Sequence, residues 1–421
     1  MIKLLDGSKV TLFDYLYLLC IIIYAGMASA FVREFGDIRT VGNAIPLFFT
    51  FIFILNKHIN FNRHFFYVVA VFTIYSLLVI FSTGSGFGRS MWGYSRWMIY
   101  ILVAYTICKG YGRRFFVLAE TILFHLAIIS IICWVILLII PAPFTQFISS
   151  FSLPAFNDDD RFTSANVLFY TVILSSVTQG SGEWYLLIRN SGFAWEPGAF
   201  SCFLLIGICF NIFRKNFSFS DNISLVVFLI ALASTQSTTG YYTFMAVVAL
   251  WLVNNHKARW LLVLLPLFIG VISLPFMSDK FSYELEGLSD ATFNNADSNS
   301  SFDRLLSLQV LWGEFLEHPI LGYGFAESEL EQNSIRTWSG IGRLLSQYGI
   351  IMSILFLIFL WKSSRFCARL FQSRSEYVIF VAIFGSMISY MLWTQPLFMA
   401  IWMSCLFIDY STKTTFLCYQ K

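Results

Sequence analysis

Long apolar runs alternate with short polar connections along the whole chain. A helix crossing a bilayer needs about 17–25 mostly apolar residues. Twelve runs meet or approach that length: 11–31, 41–55, 65–82, 92–108, 115–140, 195–213, 222–235, 238–253, 260–275, 339–361, 377–393 and 397–410. The pattern predicts an all-α polytopic membrane protein of about 12 transmembrane helices, forming a single transmembrane domain over 1–421. The second, seventh, eighth and last runs are short. The seventh and eighth also read as one broken hairpin around Ser237-Thr238-Thr239-Gly240. Lys3 and Lys9 precede the first run and Ala28-Ser29-Ala30 resembles a signal-peptidase site. With so many spans following, an uncleaved first helix is the expectation.

Composition narrows the class. Only 12% of residues are charged and 57% are apolar, against about 25% charged in soluble domains. This excludes a disordered chain, a nucleic-acid-binding domain and an ordinary cytosolic enzyme. Basic residues are expected to concentrate on the cytoplasmic side. With both termini placed inside, 17 of the 27 Lys and Arg fall on inner segments and 18 of the 24 acids face outward. All eight cysteines lie in spans or inner segments, so no disulfide framework is expected outside. No spacing of His and Cys suits a metal.

Two connections are long, 141–194 and 276–338, and both fall outside. Long connections in compact proteins are usually functional or disordered. These mix aromatic with polar residues, so order is expected. The apolar stretch 167–176 is too short to span and suits an interfacial or re-entrant segment, with Trp184 and Tyr185 at the interface. Leu305, Leu308, Leu311, Trp312 and Phe315 have helical spacing, and Asp303 suits that helix's N-cap.

Four groups of residues have chemical potential. In Arg189-Asn190-Ser191-Gly192-Phe193-Ala194-Trp195-Glu196-Pro197-Gly198, Pro197 suits a first helical turn. The positive end of that helix and Arg189 form a seat for an anion such as phosphate. A carboxylate there, Glu196, suits an acceptor or base. The plain alternative is an Arg189–Glu196 salt bridge. In 234–241, hydroxyls including Thr238, Thr239 and Tyr241 either line a polar cavity that binds sugar hydroxyls or satisfy a turn. Arg304 is followed by His318-Pro319-Ile320-Leu321-Gly322-Tyr323-Gly324-Phe325; its glycines permit a tight turn, and His318, the one outer histidine, is the candidate for proton transfer. A structural His beside Pro is the alternative. Arg336 and Arg343, seven apart, share a face on a continuous helix and suit a pyrophosphate; anchoring to headgroups is the alternative. Arg89 and Arg96 are weaker candidates of that kind. The Asp158-Asp159-Asp160 run is read as a solvated loop. No nucleotide-binding or hydrolase motif is present, so a substrate already activated in the membrane is expected.

The 189–198 stretch resembles the R-x-x-G-F-x-x-E-P-G segment of Wzy-type O-antigen and capsule polymerases. The Ser-Thr-Thr-Gly-Tyr turn at 237–241 and Arg304 with the 318–325 turn are similar to theirs, in the same order. The resemblance implies a GT-C-like glycosyltransferase of the bacterial inner membrane, with both termini cytoplasmic. It would join polyprenyl-pyrophosphate-linked oligosaccharide repeats on the periplasmic face. It implies no cofactor or metal and no nucleic-acid partner. Its partners would be undecaprenyl-pyrophosphate oligosaccharides, membrane lipids, a flippase and a chain-length regulator. Arg189, Arg304, Arg336 and Arg343 would hold the pyrophosphate. Glu196, or second His318, would act on the acceptor hydroxyl, and Thr238, Thr239, Tyr241 and Tyr323 would line the sugar cavity. O-antigen ligases share the loops and donor but carry His-Asn where this chain has Gln332-Asn333. The R-x10-G pattern of some polymerases is absent after Arg336, where Gln347 stands eleven positions on. A lipid-oligosaccharide flippase is the competing class.

Overall fold

The computed structural model describes residues 2–34, 39–83, 87–151, 164–173, 188–218, 221–254, 310–324 and 339–408. Among these the chain is predominantly helical. A two-residue hairpin, β1 (Ile2–Lys3) with β2 (Lys9–Val10), leads into α1 (Leu12–Glu34). Then follow α2 (Arg39–Lys57), α3 (Arg63–Thr83), α4 (Phe87–Tyr111), α5 (Arg114–Ile139) and α6 (Pro141–Phe151). After a second hairpin come α7 (Pro197–Lys215), α8 (Ile223–Thr235) and α9 (Thr238–Asn254). The last helices are α10 (Gly340–Leu370), α11 (Val378–Ser386), α12 (Pro396–Trp402) and α13 (Ser404–Phe407).

Four helices, α3, α5, α7 and α10, are long and apolar enough to cross a membrane, and α1, α2, α8 and α9 contain shorter apolar segments. Among the described residues the fourth, eleventh and twelfth runs form no helix of that kind. The ninth run and residues 409–410 lie outside the described residues. So do Asp158–Asp160, Trp184, Tyr185, Asp303, Arg304, Arg336 and Gln332-Asn333.

Burial separates the helices by role. On α3 the exposed large side chains include Tyr67, Val71, Ile74, Leu78 and Phe81, a stripe at three- and four-residue spacing that Phe66 and Leu77 widen. Ile223, Val226 and Ile230 on α8 and Ile351, Ile354 and Ile358 on α10 repeat it. Apolar stripes of this width suit lipid better than water. By contrast α7 is buried over nearly its whole length. It packs against α5, α8, α9 and α11, so its start at Glu196-Pro197 is held from all sides.

The end of the bundle that carries Arg214 is fixed by one buried polar network. Glu120 of α5 is fully buried and accepts two bonds from Arg214 of α7, at 2.8 Å and 2.7 Å. Asn211 donates to the same carboxylate at 2.9 Å and also reaches Asn222 and Ser224 at the start of α8.

Three expectations are corrected. The stretch 167–176, expected as an interfacial or re-entrant segment, enters a β-hairpin over its described residues: Ser164–Val167 (β3) pairs antiparallel with Tyr170–Ile173 (β4). The hairpin buries Ala165, Tyr170 and Val172 in a satellite core with Leu137 and Ile148, and alternation of period two achieves this where a helix could not. The tenth span is not one straight helix. Gly349 has φ 62° and ψ −177°, so α10 breaks there, and its second part continues past Trp361 to Leu370. The eleventh run does not cross as one helix. α11 has nine residues, about 13 Å of length, and ends mid-bundle. Residues 387–395 then form an irregular segment with one 3-10 turn (Leu392–Thr394) before α12 starts at Pro396. Irregular backbone at membrane depth is tolerated only where protein buries it or it lines a cavity.

Candidate functional site

The start of α10 meets the irregular segment 387–395. Gly340 at the start of α10 presses on the backbone carbonyls of Met387 and Tyr390, and the Ile341 amide donates to the Met387 carbonyl at 2.9 Å. Three helix starts converge on this irregular segment. Ser339 caps α10 by accepting from the Gly342 amide at 3.1 Å. Ser237 does the same for α9, accepting from Gly240 at 3.1 Å. α7 differs: Glu196 stands at its N-cap position in extended conformation, Pro197 follows, and the Glu196 side chain does not cap the helix. Converging helix starts bring partial positive charge to one place.

Side chains tie the three together through 389–391. Thr239 of α9 pairs with Ser389 at 2.9 Å. The Tyr390 ring lies edge-on to Trp195, with centroids 6.4 Å apart. Its hydroxyl fills the space beside Gly198. Arg343, in the first turns of α10, directs Nη1 at the Met391 sulfur, 3.7 Å away.

The 189–198 segment is fastened to the α8–α9 turn. Asn190, fully buried, donates through its side chain to Ser234 at 2.9 Å and to Ser130 at 3.3 Å, while its Oδ1 accepts from the Gly192 amide at 3.0 Å. Its own amide donates to the Ser234 carbonyl at 3.0 Å. Arg189 is exposed and donates through Nε to the Thr235 carbonyl at 3.0 Å. Its charge acts on Tyr241, whose hydroxyl donates to the Ala233 carbonyl at 2.6 Å. Gly192 (φ 52°) lets the chain turn there, and its carbonyl accepts from the Thr171 amide at 2.7 Å, docking the β3–β4 hairpin on the same segment.

The expected turn at 318–324 is present, with Gly322 and Gly324 at φ 70° and 67°. It docks on the α10 break. The Tyr323 amide bonds the Ser346 carbonyl at 2.8 Å, Gly324 bonds Gln347 at 2.7 Å, and Ile350 bonds back to Pro319 at 2.8 Å. The His318 ring stands edge-on to Tyr323, centroids 4.4 Å apart, and the Tyr323 hydroxyl donates to Glu317. The helical residues 310–317 precede it, with Leu311 and Phe315 buried and Trp312 exposed.

The structure therefore brings Glu196, Thr239 and Arg343 to the helix starts around Ser389–Met391, whereas Arg189 and Tyr241 are held at the end of α8 through Thr235 and Ala233 and Thr238 opens α9. His318 and Tyr323 sit at the α10 break instead. The expectation of Arg336 and Arg343 on one continuous helix is corrected: α10 begins at Gly340 behind the extended Ser339. Sequence reasoning missed Ser389, Tyr390 and Met391. Ser386, Ser389 and Tyr390 inside the eleventh run, and Gln395-Pro396 just after it, were the available signal. Among the described residues no group of His, Cys, Asp and Glu could hold a metal.

These features describe a helical membrane-type protein whose polar, cation-bearing site is built at helix breaks. The model of one protein family, described as O-Antigen ligase, matches residues 223–345. The match supports the O-antigen ligase and polymerase group, whose members are glycosyltransferase-like enzymes acting on polysaccharide. It spans α8, α9, the 318–324 turn and the first residues of α10. No curated protein matches the chain.

Proposed function

We propose that the protein is a GT-C-like polymerase of the bacterial inner membrane that joins polyprenyl-pyrophosphate-linked oligosaccharide repeats on the periplasmic face. The observation that carries this reading is the convergence of the α7, α9 and α10 starts, with Glu196 and Arg343, on the irregular segment 387–395. In the reaction a sugar hydroxyl of the incoming lipid-linked unit attacks the anomeric carbon of the growing chain. The new C–O bond forms as the bond to the lipid pyrophosphate breaks. Glu196, with His318 second, takes the hydroxyl proton. Arg189, Arg304, Arg336 and Arg343 hold the leaving pyrophosphate, and guanidinium forks suit its oxygens. Thr238, Thr239, Tyr241 and Tyr323 line the sugar path. The energy resides in the lipid diphosphate ester, so no nucleotide is required.

The description of the matched family favours a second reading, transfer of finished polysaccharide to lipid A-core. Gln332-Asn333, where ligases carry His-Asn, favours polymerisation. Deleting the gene in its native host separates the two. A polymerase-deficient strain displays single repeat units on lipid A-core, whereas a ligase-deficient strain displays none and accumulates lipid-linked polymer.

A further inference from the structure

α6 presents three faces. Phe144 and Ile148 turn toward the satellite core, where the Phe144 ring stands 6.2 Å from that of Tyr170. Gln146, Ser149 and Ser150 are polar and exposed. Phe147 and Phe151 are apolar and also exposed, at 57% and 68%, and their rings pack on each other with centroids 5.2 Å apart. A surface helix of a water-soluble domain divides into two faces, one for the core and one for water. A third face, aromatic and open, suits a helix lying in a membrane interface. Such a helix meets acyl chains on its apolar side and water on its polar side.

Two further observations bear on what covers Phe147 and Phe151. The first is continuity. α6 follows α5 directly, and α5 is long and apolar enough to cross a membrane. The exposed residues Ile129, Ile132, Val135 and Ile139 of α5 form a stripe at three- and four-residue spacing that reaches exposed Ile140 at the junction. The aromatic face of α6 thus begins where a lipid-facing stripe ends. The second is charge. Between Glu120 and the end of α6 there is no Asp, Glu, Lys or Arg, whereas soluble domains carry about 25% charged residues.

We propose that α6 lies in the interface of the leaflet at the end of α5 away from Glu120, with Phe147 and Phe151 among phospholipid acyl chains and Gln146, Ser149 and Ser150 toward water. A segment that belongs to a long connection in the sequence is thereby a membrane-seated helix. Through the satellite core it carries the β3–β4 hairpin, whose Thr171 amide bonds the Gly192 carbonyl at 2.7 Å, four residues before Glu196. The inference needs only that the chain lies in a bilayer, and it stands or falls apart from the polymerase reading.

The test is photocrosslinking of the full-length protein in vesicles of phosphatidylethanolamine and phosphatidylglycerol. Phe147→p-benzoylphenylalanine and Phe151→p-benzoylphenylalanine place the probe on the aromatic face, where open space accepts its bulk. Ser149→p-benzoylphenylalanine places it on the polar face of the same helix. The expected result is phospholipid adducts at 147 and 151, found by mass spectrometry, at yields at least fivefold above that at 149. Equal yields at the three positions, or adducts at 147 and 151 that join two copies of the chain, overturn the proposal. Hydroxyl-radical footprinting of the unsubstituted protein in the same vesicles covers the case in which a variant fails to fold. Phe147 and Phe151 should oxidise at least fivefold more slowly than in the unfolded chain, and oxidation at the unfolded rate overturns the proposal equally.

Discussion

The hydroxyl of Tyr390 occupies the space into which a Cβ on Gly198 would project. One residue belongs to the second position of α7 and the other to the break between α11 and α12, so the glycine of the Glu-Pro-Gly stretch is the point where a buried helix meets an irregular segment. Gly198→Ala must push the Tyr390 ring aside. The expected outcome is a lower melting temperature and at least a tenfold loss of polymer formation at equal protein level. Adding Tyr390→Leu should restore the melting temperature without restoring activity. Native melting and activity in Gly198→Ala would remove Tyr390 from the site.

The Glu120–Arg214 pair is expected to act in stability rather than chemistry, since it holds α5, α7 and α8 at the end of the bundle away from Glu196. Breaking a buried pair from one side typically costs about 3–5 kcal/mol. Glu120→Gln and Arg214→Met should each lower the melting temperature strongly. The double substitution should cost less than the sum of the two. Additive losses, read by thermal unfolding of the purified protein, would show that the two groups do not depend on each other.

Gly349→Ala tests the broken helix. The observed φ and ψ belong to a region that is essentially glycine-only, with a cost of about 1–3 kcal/mol for other residues. A Cβ would also strike the Ile320 carbonyl. The 318–324 turn should come away from α10, detected as faster protease cleavage near His318 and loss of polymer. A variant as resistant and active as wild type would contradict the docking role of this turn.

Much of this was legible in the sequence, and what escaped it has physical causes. Apolar runs located α1 to α5 and α7 to α9 within a few residues, because lipid-facing stripes and buried faces together leave little polarity inside a span. The glycines of the 318–324 turn and Pro197 at the start of α7 were readable because backbone chemistry demands them. The breaks at Gly349 and 387–395 were not. Their polar backbone groups are satisfied by residues far away in sequence, such as Met387 accepting from Ile341, and hydropathy carries no trace of that. The 164–173 hairpin was missed because a ten-residue apolar stretch fits strand and helix equally.

At the site, Arg189→Ala, Glu196→Ala and Arg343→Ala are each expected to reduce polymer at least a hundredfold while single repeat units still reach the cell surface. The readout is the length distribution of surface polysaccharide at matched protein level. Normal polymer in all three alanine variants would dissolve the assignment.

The most direct measurement uses purified protein, lipid-linked repeat units and no nucleotide, with products resolved by size. The account predicts longer chains that remain attached to the lipid diphosphate, with one free polyprenyl diphosphate released per bond formed. Unchanged repeat units, or transfer to lipid A-core without elongation, would contradict it.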